Sequence, residues 1–398
     1  MADGKPDGDP AGATALIHHG YAPPAGFVAV QPPVHKASTV IFADTHALHS
    51  RQWKDKTGYT YGLHGTPTTF TLEERISTLE GGLQTLLLPS GLAAIALVDM
   101  ALLRSGDEVL IPDNAYGPGK DLARGELSRW GISHRFYDPM DPASLAAALG
   151  PATRLVWLEA AGSVTMEFPD LPALIRLVRA HGAAVVLDNT WGAGIAFNPF
   201  EVEPGLGVDI SVQALTKYPS GGADILMGSV TTRDHDLHLR LKGTHMRMGW
   251  GVGANDAELL LRSLPTLALR YHEQDAASRR LADWWHRRAE VVQVLHPALP
   301  GSPGHASWRH VCTASAGLFS VVFHERYEPQ QVHAFVDALR LFKIGYSWAG
   351  PVSLVVPYDL GAMRSQCAWK GTLVRFSVGL EAVDDLIGDC EQALAALE

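Results

Sequence analysis

A chain of 398 residues with 46% hydrophobic residues is long enough to form two or three domains around a sizeable core. The formal net charge of -10 comes from 42 acidic and 32 basic residues that are interspersed along the chain, so no basic block is available for a nucleic-acid partner. Three widely spaced cysteines, no apolar run of membrane-spanning length and no signal-peptide pattern predict a cytoplasmic protein without a membrane partner, a disulfide framework or a bound metal.

Residues 1–65 predict an N-terminal arm. Residues 1–12 are polar and rich in Gly, Pro and Asp, which is typical of disorder. The following stretch, to residue 65, is rich in Pro, His and Thr and shows little periodicity. Such an arm often wraps around a partner subunit, and it can also simply be mobile.

Residues 66–260 predict a large α/β domain. Apolar strands alternate here with helices, and two of these helices are predicted over 92–103 and 171–181. This alternation is typical of a mostly parallel sheet that helices cover on both faces. Seven strands are predicted, over 84–88, 108–111, 133–137, 155–158, 183–187, 210–213 and 225–230.

Residues 261–398 predict a smaller C-terminal α/β domain. A long helical region over 255–290 leads into it. Strand-like runs over 316–323 and 371–378 then alternate with helices over 330–339 and 382–397.

The turn after the first predicted strand has the features of a phosphate site. Ser90, Gly91 and Leu92 open a helix, and the N–H groups at a helix N-terminus attract anions. A short strand-to-helix turn also needs glycine for steric reasons, so the turn by itself leaves both interpretations open.

Two charged residues follow neighbouring strands. Asp188 follows the apolar strand 183–187, where a carboxylate can be a turn former or can pair with a ring nitrogen. Lys217, preceded by Thr216, leaves the next strand, and a lysine in a cleft can lose its proton and act as an amine nucleophile. Together with the phosphate turn, these are the groups that a pyridoxal phosphate site needs.

The chain resembles the Cys/Met-metabolism family of fold-type-I pyridoxal phosphate enzymes, and within it the branch that contains the bacterial β-lyases. The segments that carry the resemblance include YTYGLHGTPTTFTLEERISTLEGG, LPSGLAAIA, VWLEAAGSVTMEFPDLP, VVLDNTWGAG, DISVQALTKYPSGGADILMG, GYSWAG and GTLVRFSVGLE. The resemblance extends from about residue 35 to the C-terminus. It implies an aspartate-aminotransferase-like fold and a homotetramer, a dimer of dimers in which two subunits build each active site.

Family roles carried over to matching positions define the cofactor site. The resemblance implies that Lys217 holds pyridoxal 5'-phosphate as a Schiff base and moves protons, and that Asp188 pairs with the pyridine nitrogen. Tyr116 would stack on the ring and assist at the substrate amine, and Tyr61 would reach the phosphate of the neighbouring subunit. The residues expected around the phosphate are Ser90, Gly91, Leu92 and Thr216.

The resemblance also implies the substrate site. Arg375 would bind the α-carboxylate of an amino-acid substrate, aided by Ser347 and Trp348. Without the resemblance, an arginine after an apolar run could also be a structural ion-pair partner. The implied reaction is β-elimination of cystathionine, or a related cysteine thioether, through an aminoacrylate to a thiol (homocysteine), pyruvate and ammonia. The alternatives are a γ-lyase or γ-synthase of this family, a cystine or S-alkylcysteine C–S lyase, and a non-catalytic protein that binds a phosphate ligand.

Two positions depart from the family pattern. Leu63 stands where an arginine is usual, which removes a forked phosphate contact that the neighbouring His64 could partly replace. Val352 stands where relatives often have glutamate, so the distal substrate pocket is expected to differ.

Overall fold

The computed structural model describes residues 13–17, 25–26, 29–50, 56, 58–364 and 369–397, so the predicted disorder of residues 1–12 lies outside the described residues. Within the described ranges, twelve strands form two sheets. They are β1 (Gln84–Leu88), β2 (Glu108–Pro112), β3 (Ser133–Tyr137), β4 (Thr153–Glu159), β5 (Ala184–Asp188), β6 (Ile210–Gln213), β7 (Gly228–Thr232), β8 (Val291–Leu295), β9 (Leu318–Phe323), β10 (Lys343–Ile344), β11 (Leu354–Tyr358) and β12 (Leu373–Ser377).

Helices surround both sheets. They are α1 (Ala13–Ile17), α2 (Thr45–Ser50), α3 (Pro67–Glu80), α4 (Gly91–Leu102), α5 (Gly117–Leu122), α6 (Pro142–Ala148), α7 (Leu171–His181), α8 (His235–Met248), α9 (Ala254–Ser263), α10 (Leu267–His286), α11 (His305–Val311), α12 (Pro329–Ala338), α13 (Leu360–Met363) and α14 (Val383–Ala393). Among the helices that the structure describes, none combines the length and apolarity needed to cross a bilayer.

The large sheet has the strand order β1-β7-β6-β5-β4-β2-β3. β2 to β6 run parallel, and β7 is antiparallel to both of its neighbours. This confirms the predicted mostly parallel seven-stranded sheet. Its side chains alternate between two cores: Leu87 belongs to the core that includes residues of α3 and α7, whereas Leu86 and Leu88 belong to the core that includes residues of α4 and α8. Successive side chains of a strand point to opposite faces of the sheet, and both faces are buried. The strands are therefore apolar throughout.

The last strand of this sheet begins later than predicted. β7 starts at Gly228, not at residue 225. The backbone N–H of Met227 donates to Thr216 Oγ1 at 3.1 Å, and its carbonyl accepts from the Thr216 N–H at 3.1 Å. Both backbone hydrogen-bonding groups of Met227 thus pair with Thr216, in the loop that carries Lys217. They do not pair with a neighbouring strand, so β7 begins only at the next residue.

The helical region predicted over 255–290 consists of two helices. α9 and α10 are separate helices joined by a short 3-10 turn, Leu264–Thr266. Pro265 lies within this turn. A proline has no N–H to donate to the preceding turn of an α-helix, so the helix is interrupted there.

The smaller sheet contains five strands in the order β10-β11-β12-β9-β8, of which the sequence predicted β9 and β12. Its core packs Trp285 of α10 against Phe319 and Phe376. The link between β10 and β11 and the middle of β12 approach the carboxyl ends of the large sheet, so a cavity forms between the two sheets.

Candidate active site

A cavity of about 590 Å³ lies between the two sheets. Every predicted site residue except Tyr61 lines it, even though these residues come from sequence positions up to 285 residues apart. The ten are Ser90, Gly91, Leu92, Tyr116, Asp188, Thr216, Lys217, Ser347, Trp348 and Arg375.

The phosphate turn is a capped helix N-terminus. Ser90 caps α4, and its Oγ accepts from the Ala93 N–H at 3.0 Å. The N–H groups of Gly91 and Leu92 come before the first internal helix bond, so they remain available to an anion. A Cβ added at Gly91 would lie 2.7 Å from the Cβ of Ala214, closer than side chains pack. Glycine is therefore required here, because the turn passes close to the next loop.

Asp188 lies at the carboxyl end of β5, facing the cavity. Its Oδ1 accepts from the Thr190 N–H at 3.0 Å and from Thr190 Oγ1 at 2.6 Å. Burial raises the pKa of Asp188, while the hydrogen bonds from Thr190 and the nearby Lys217 ammonium lower it. Thr190 therefore orients the carboxylate, and a cationic ring nitrogen in the cavity would be a suitable partner for it.

Lys217 projects into the cavity from the loop after β6. Its Nζ donates to Ser347 Oγ at 2.7 Å and lies 5.3 Å from the centre of the Trp348 ring. Burial, followed by the Arg375 guanidinium, lowers the pKa of Lys217 from 10.5 to about 8, although Asp188 acts in the opposite direction. A much larger fraction of this amine than of an ordinary lysine is thus unprotonated near neutral pH, as a nucleophile or a base requires.

Arg375, on β12, is buried beside Lys217. Its Nη2 donates to the Ser347 carbonyl at 3.2 Å, and its guanidinium lies 5.4 Å from the centre of the Tyr358 ring. Its Nε is buried without a hydrogen-bond partner among the described residues. A buried guanidinium edge with an unsatisfied donor is suited to a carboxylate ligand, because two parallel hydrogen bonds would then form.

The Ser347–Trp348 link has an unusual backbone. Ser347 has φ 93° and Ala349 has φ 68°, both in the left-handed region that residues with a Cβ seldom adopt. In this conformation the Ser347 hydroxyl accepts a hydrogen bond from Lys217, and the Ser347 carbonyl accepts one from Arg375. One strained residue therefore contacts both of the cationic groups in the cavity.

Glu159 was missed by the sequence analysis. It ends β4, lines the cavity, and its Oε2 accepts from the Tyr116 backbone N–H at 2.8 Å. Burial and the neighbouring Asp188 carboxylate raise the pKa of Glu159 well above its usual range. The rule that singled out Asp188, a carboxylate at the carboxyl end of a parallel strand, would also have singled out Glu159.

Thr216 lines the cavity, but its hydroxyl donates to the Met227 carbonyl at 3.3 Å. Tyr61 is 47% exposed on the predicted N-terminal arm and lies outside the described cavity lining, so its predicted role at a neighbouring subunit stays a prediction. Val352 is also exposed outside the lining.

His64 lies in a separate small pocket with Leu63. Its Nδ1 pairs with Thr60 Oγ1 at 2.8 Å. Burial, followed by the charges of Lys242 and His245, lowers the pKa of His64. These surroundings favour the neutral imidazole, so a histidine here is a weak replacement for the arginine that is usual at Leu63.

Three groups in the cavity fit pyridoxal phosphate. They are an amine of lowered pKa, a carboxylate that can pair with a ring nitrogen, and a capped helix N-terminus that can bind a phosphate. A family model described as Cys/Met metabolism PLP-dependent enzyme matches residues 13–395. The chain belongs to this family. It is therefore a pyridoxal-phosphate-dependent enzyme, and the predicted cofactor class is confirmed.

Individual relatives cover nearly the whole chain. It is 39% identical over 390 residues to a cystathionine beta-lyase of Bordetella avium, with 96% of each chain covered. It is 38% identical over 387 residues to a putative cystathionine beta-lyase of Rhizobium johnstonii, again with 96% of each chain covered.

A solved structure supports the fold class. The cystathionine gamma synthase from Xanthomonas oryzae, crystallised with aminoacrylate and cysteine, superposes with a TM-score of 0.88 at 29% identity. The match covers 97% of this chain and 98% of that one, so the predicted fold type I is confirmed.

Proposed function

We propose that this enzyme catalyses the β-elimination of cystathionine, releasing homocysteine, pyruvate and ammonia. The observation that carries the proposal is the grouping of Lys217, Ser347 and Arg375: an amine of lowered pKa shares one serine with a buried guanidinium that has a free donor. An amino acid whose carboxylate bound Arg375 would place its α-carbon near the Lys217 amine. The similarity to enzymes named cystathionine beta-lyase supports the substrate.

Lys217, Asp188 and the N-terminus of α4 are the groups that would hold the cofactor. Pyridoxal phosphate, when bound, supplies an aldehyde for the substrate amine and a ring that accepts the electron pair left at the α-carbon. The Asp188 carboxylate would keep the ring nitrogen protonated, because a buried anion favours a cation beside it. Thr190 holds that carboxylate in place through two hydrogen bonds.

Lys217 is the base in this proposal. With its pKa lowered to about 8, the amine can take the α-proton and later return a proton to the products. Ser347 accepts a hydrogen bond from Nζ at 2.7 Å and so aims the lone pair of the free amine. When the α-proton leaves, a double bond forms between the α- and β-carbons, the carbon–sulfur bond breaks, and its electron pair leaves with the thiolate. The released aminoacrylate takes up water and gives pyruvate and ammonia.

Arg375 and Tyr116 are proposed to fix the substrate. Arg375 binds the α-carboxylate, which restricts rotation about the α-carbon and directs the α-proton towards Lys217. Tyr116 covers the cavity from α5, and the Glu159 carboxylate anchors its backbone. Burial, followed by Asp188 and Glu159, raises the pKa of Tyr116, so its hydroxyl keeps its proton and acts as a hydrogen-bond donor to the substrate.

γ-Elimination is the alternative within the family, and the similarity to a solved γ-synthase supports it. The Tyr346–Trp348 and Gly162–Met166 sequences favour the β-lyase branch. In the structure, Trp348 packs against Tyr218 at 5.6 Å between ring centres and lies beside Lys217. A bulky ring at this place limits the movement of Lys217 towards a second carbon, which γ-elimination needs.

The decisive experiment is product analysis. The protein reconstituted with pyridoxal phosphate is incubated with L-cystathionine, and keto acids and thiols are quantified by mass spectrometry. Equal amounts of pyruvate and homocysteine are expected. Cystine and S-methylcysteine are compared in parallel. Lys217→Ala should abolish turnover, whereas substitution of the exposed Lys370 by alanine is the matched control and should have no effect.

Other products would overturn the proposal. 2-Oxobutyrate with cysteine would assign the enzyme to γ-elimination. Turnover of cystine or S-methylcysteine without turnover of cystathionine would make it a C–S lyase for other cysteine derivatives. A protein that binds pyridoxal phosphate but releases no keto acid from any of these substrates would be a non-catalytic binding protein.

We also propose that the protein is a cytoplasmic homotetramer whose subunits share active sites. The exposed Tyr61, together with Val30 and Ile41 at 89% and 93% exposure, supports an arm that packs on another copy of the chain. Light scattering of the purified protein tests the oligomeric state, and a monomer would contradict the proposal. Cell fractionation tests the location.

The shared site is tested with two variants. Tyr61→Phe should lose cofactor affinity, and mixed oligomers of Tyr61→Phe and Lys217→Ala subunits should regain it.

A further inference from the structure

Residues 359–364, which follow β11, form part of the cavity wall. Tyr358, directly before them, and Met363 both line the cavity. The segment contains the one-turn helix α13, capped by Asp359, whose Oδ1 accepts from the Gly361 N–H at 2.9 Å. So short a helix has little stability of its own. Its position must depend on tertiary contacts.

Arg364 makes the principal contact. Its Nε donates to Asp113 Oδ2 at 3.1 Å, and its Nη1 donates to Glu167 Oε2 at 2.7 Å. These partners are 251 and 197 residues away in the chain. The Arg364 side chain is only 8% exposed, so its ion pairs are shielded from the water that weakens surface pairs.

The two carboxylates belong to loops that build the opposite wall. Asp113 directly follows β2 and precedes Tyr116 by three residues. Glu167 Oε2 also accepts from Asn114 Nδ2 at 3.0 Å and from Thr165 Oγ1 at 2.9 Å. One guanidinium therefore ties the 359–364 segment to both loops at the carboxyl edge of the large sheet.

Lys120 adds a second tie. Its Nζ donates to the Asp113 carbonyl at 2.8 Å and to the Met363 carbonyl at 3.2 Å. Lys120, Arg364, Asp113 and Glu167 thus form a cluster of two positive and two negative side chains. Balanced charge allows the cluster to remain buried.

We propose that Arg364 is a positioning residue that fastens the 359–364 segment across the substrate cavity. In the part of the chain that the structure describes, Arg364 makes no hydrogen bond or ion pair with Lys217 or Asp188, so its removal should loosen the cavity wall without altering the reacting groups. The expected kinetic result is a higher KM with a nearly unchanged kcat. These kinetic readouts rest on the proposed lyase function, whereas the backbone readouts below do not.

The test compares Arg364→Gln with Arg280→Gln in the protein carrying its cofactor. Arg280 makes a surface ion pair with Asp384, with 56% and 79% of the two side chains exposed, and is the matched control. Chymotrypsin cleavage within residues 358–369, followed by mass spectrometry, should be about ten-fold faster in Arg364→Gln. KM for cystathionine should rise about ten-fold and kcat should change less than about three-fold. Arg364→Lys, which can reach one carboxylate, should lie between.

The proposal is overturned if cleavage and KM in Arg364→Gln match those of the control. It is also overturned if only the melting temperature falls, since that would show a purely structural role. If the unsubstituted protein has no lyase activity, the proposed function fails. The cleavage rates still test whether Arg364 fastens the 359–364 segment. Should Arg364→Gln not fold, Asp113→Asn replaces it with the same readouts.

Hydrogen exchange of the unsubstituted protein gives an independent test. A fastened segment should exchange its amides over 359–364 almost as slowly as β11 does. Exchange at the rate of an open loop would overturn the proposal without any substitution.

Discussion

The protonation of Lys217 gives a quantitative test of the site. Burial and the Arg375 guanidinium lower the pKa of Lys217 to about 8. An amine with that pKa is about 9% unprotonated at pH 7 and about 91% at pH 9, a rise of about ten-fold that ends in a plateau. An ordinary lysine rises about 100-fold over the same range and reaches no plateau, because its pKa is about 10.4.

Competitive labelling measures this directly. The protein freed of cofactor is treated with trace acetic anhydride between pH 6 and 10, and the peptide that carries Lys217 is quantified by mass spectrometry against a reference peptide. Burial lowers the labelling rate at every pH, so the shape of the curve is the diagnostic quantity. A midpoint near pH 8 is expected.

Two variants test the cause of the shift. Arg375→Gln removes a positive charge, so the ammonium becomes more stable and the midpoint should move to higher pH. Asp188→Asn removes a negative charge, so the midpoint should move to lower pH. A rise of about 100-fold between pH 7 and 9 in the unsubstituted protein would refute the reasoning, as would variants that both leave the midpoint in place.

Three further predictions concern other residues. Gly91→Ala should weaken pyridoxal phosphate binding at least about ten-fold in equilibrium dialysis, because its Cβ would lie 2.7 Å from that of Ala214; unchanged affinity would contradict this. Arg375→Lys should lower kcat/KM roughly 10- to 100-fold by losing the forked contact, and full activity would exclude a carboxylate role. Burial raises the pKa of Asp99 to about 7, so ionising it costs stability, up to about 4 kcal/mol, as the pH rises from 4 to 7. Asp99→Asn should therefore raise the melting temperature at pH 8 but not at pH 4, and equal changes at both pH values would contradict this.

Much of the large sheet was predictable from the sequence because its strands are buried on both faces. A run such as Ala184–Asp188 has few structural alternatives when helical segments flank it. The smaller sheet was harder: Lys343–Ile344 has only two residues, both exposed, and takes its strand form from pairing with Leu354 and Val355. The domain boundary at residue 260 stays a prediction.

The candidate site divides in the same way. Asp188, Lys217 and the Ser90 turn were predictable because each follows a strand whose carboxyl end faces one edge of the sheet. Glu159 satisfied the same rule and was overlooked. Arg364 carries no local signal, since its partners Asp113 and Glu167 lie in distant parts of the chain.

The sequence by itself determined the fold class and the cofactor class, and it predicted the residues that would hold the cofactor, because these depend on local patterns of burial and residue type. Only the tertiary structure decided that Ser347 links Lys217 to Arg375 and that Arg364 ties the cavity walls together. The same holds for the lowered pKa of Lys217. Burial and charge proximity arise when distant segments meet, so no stretch of sequence contains them.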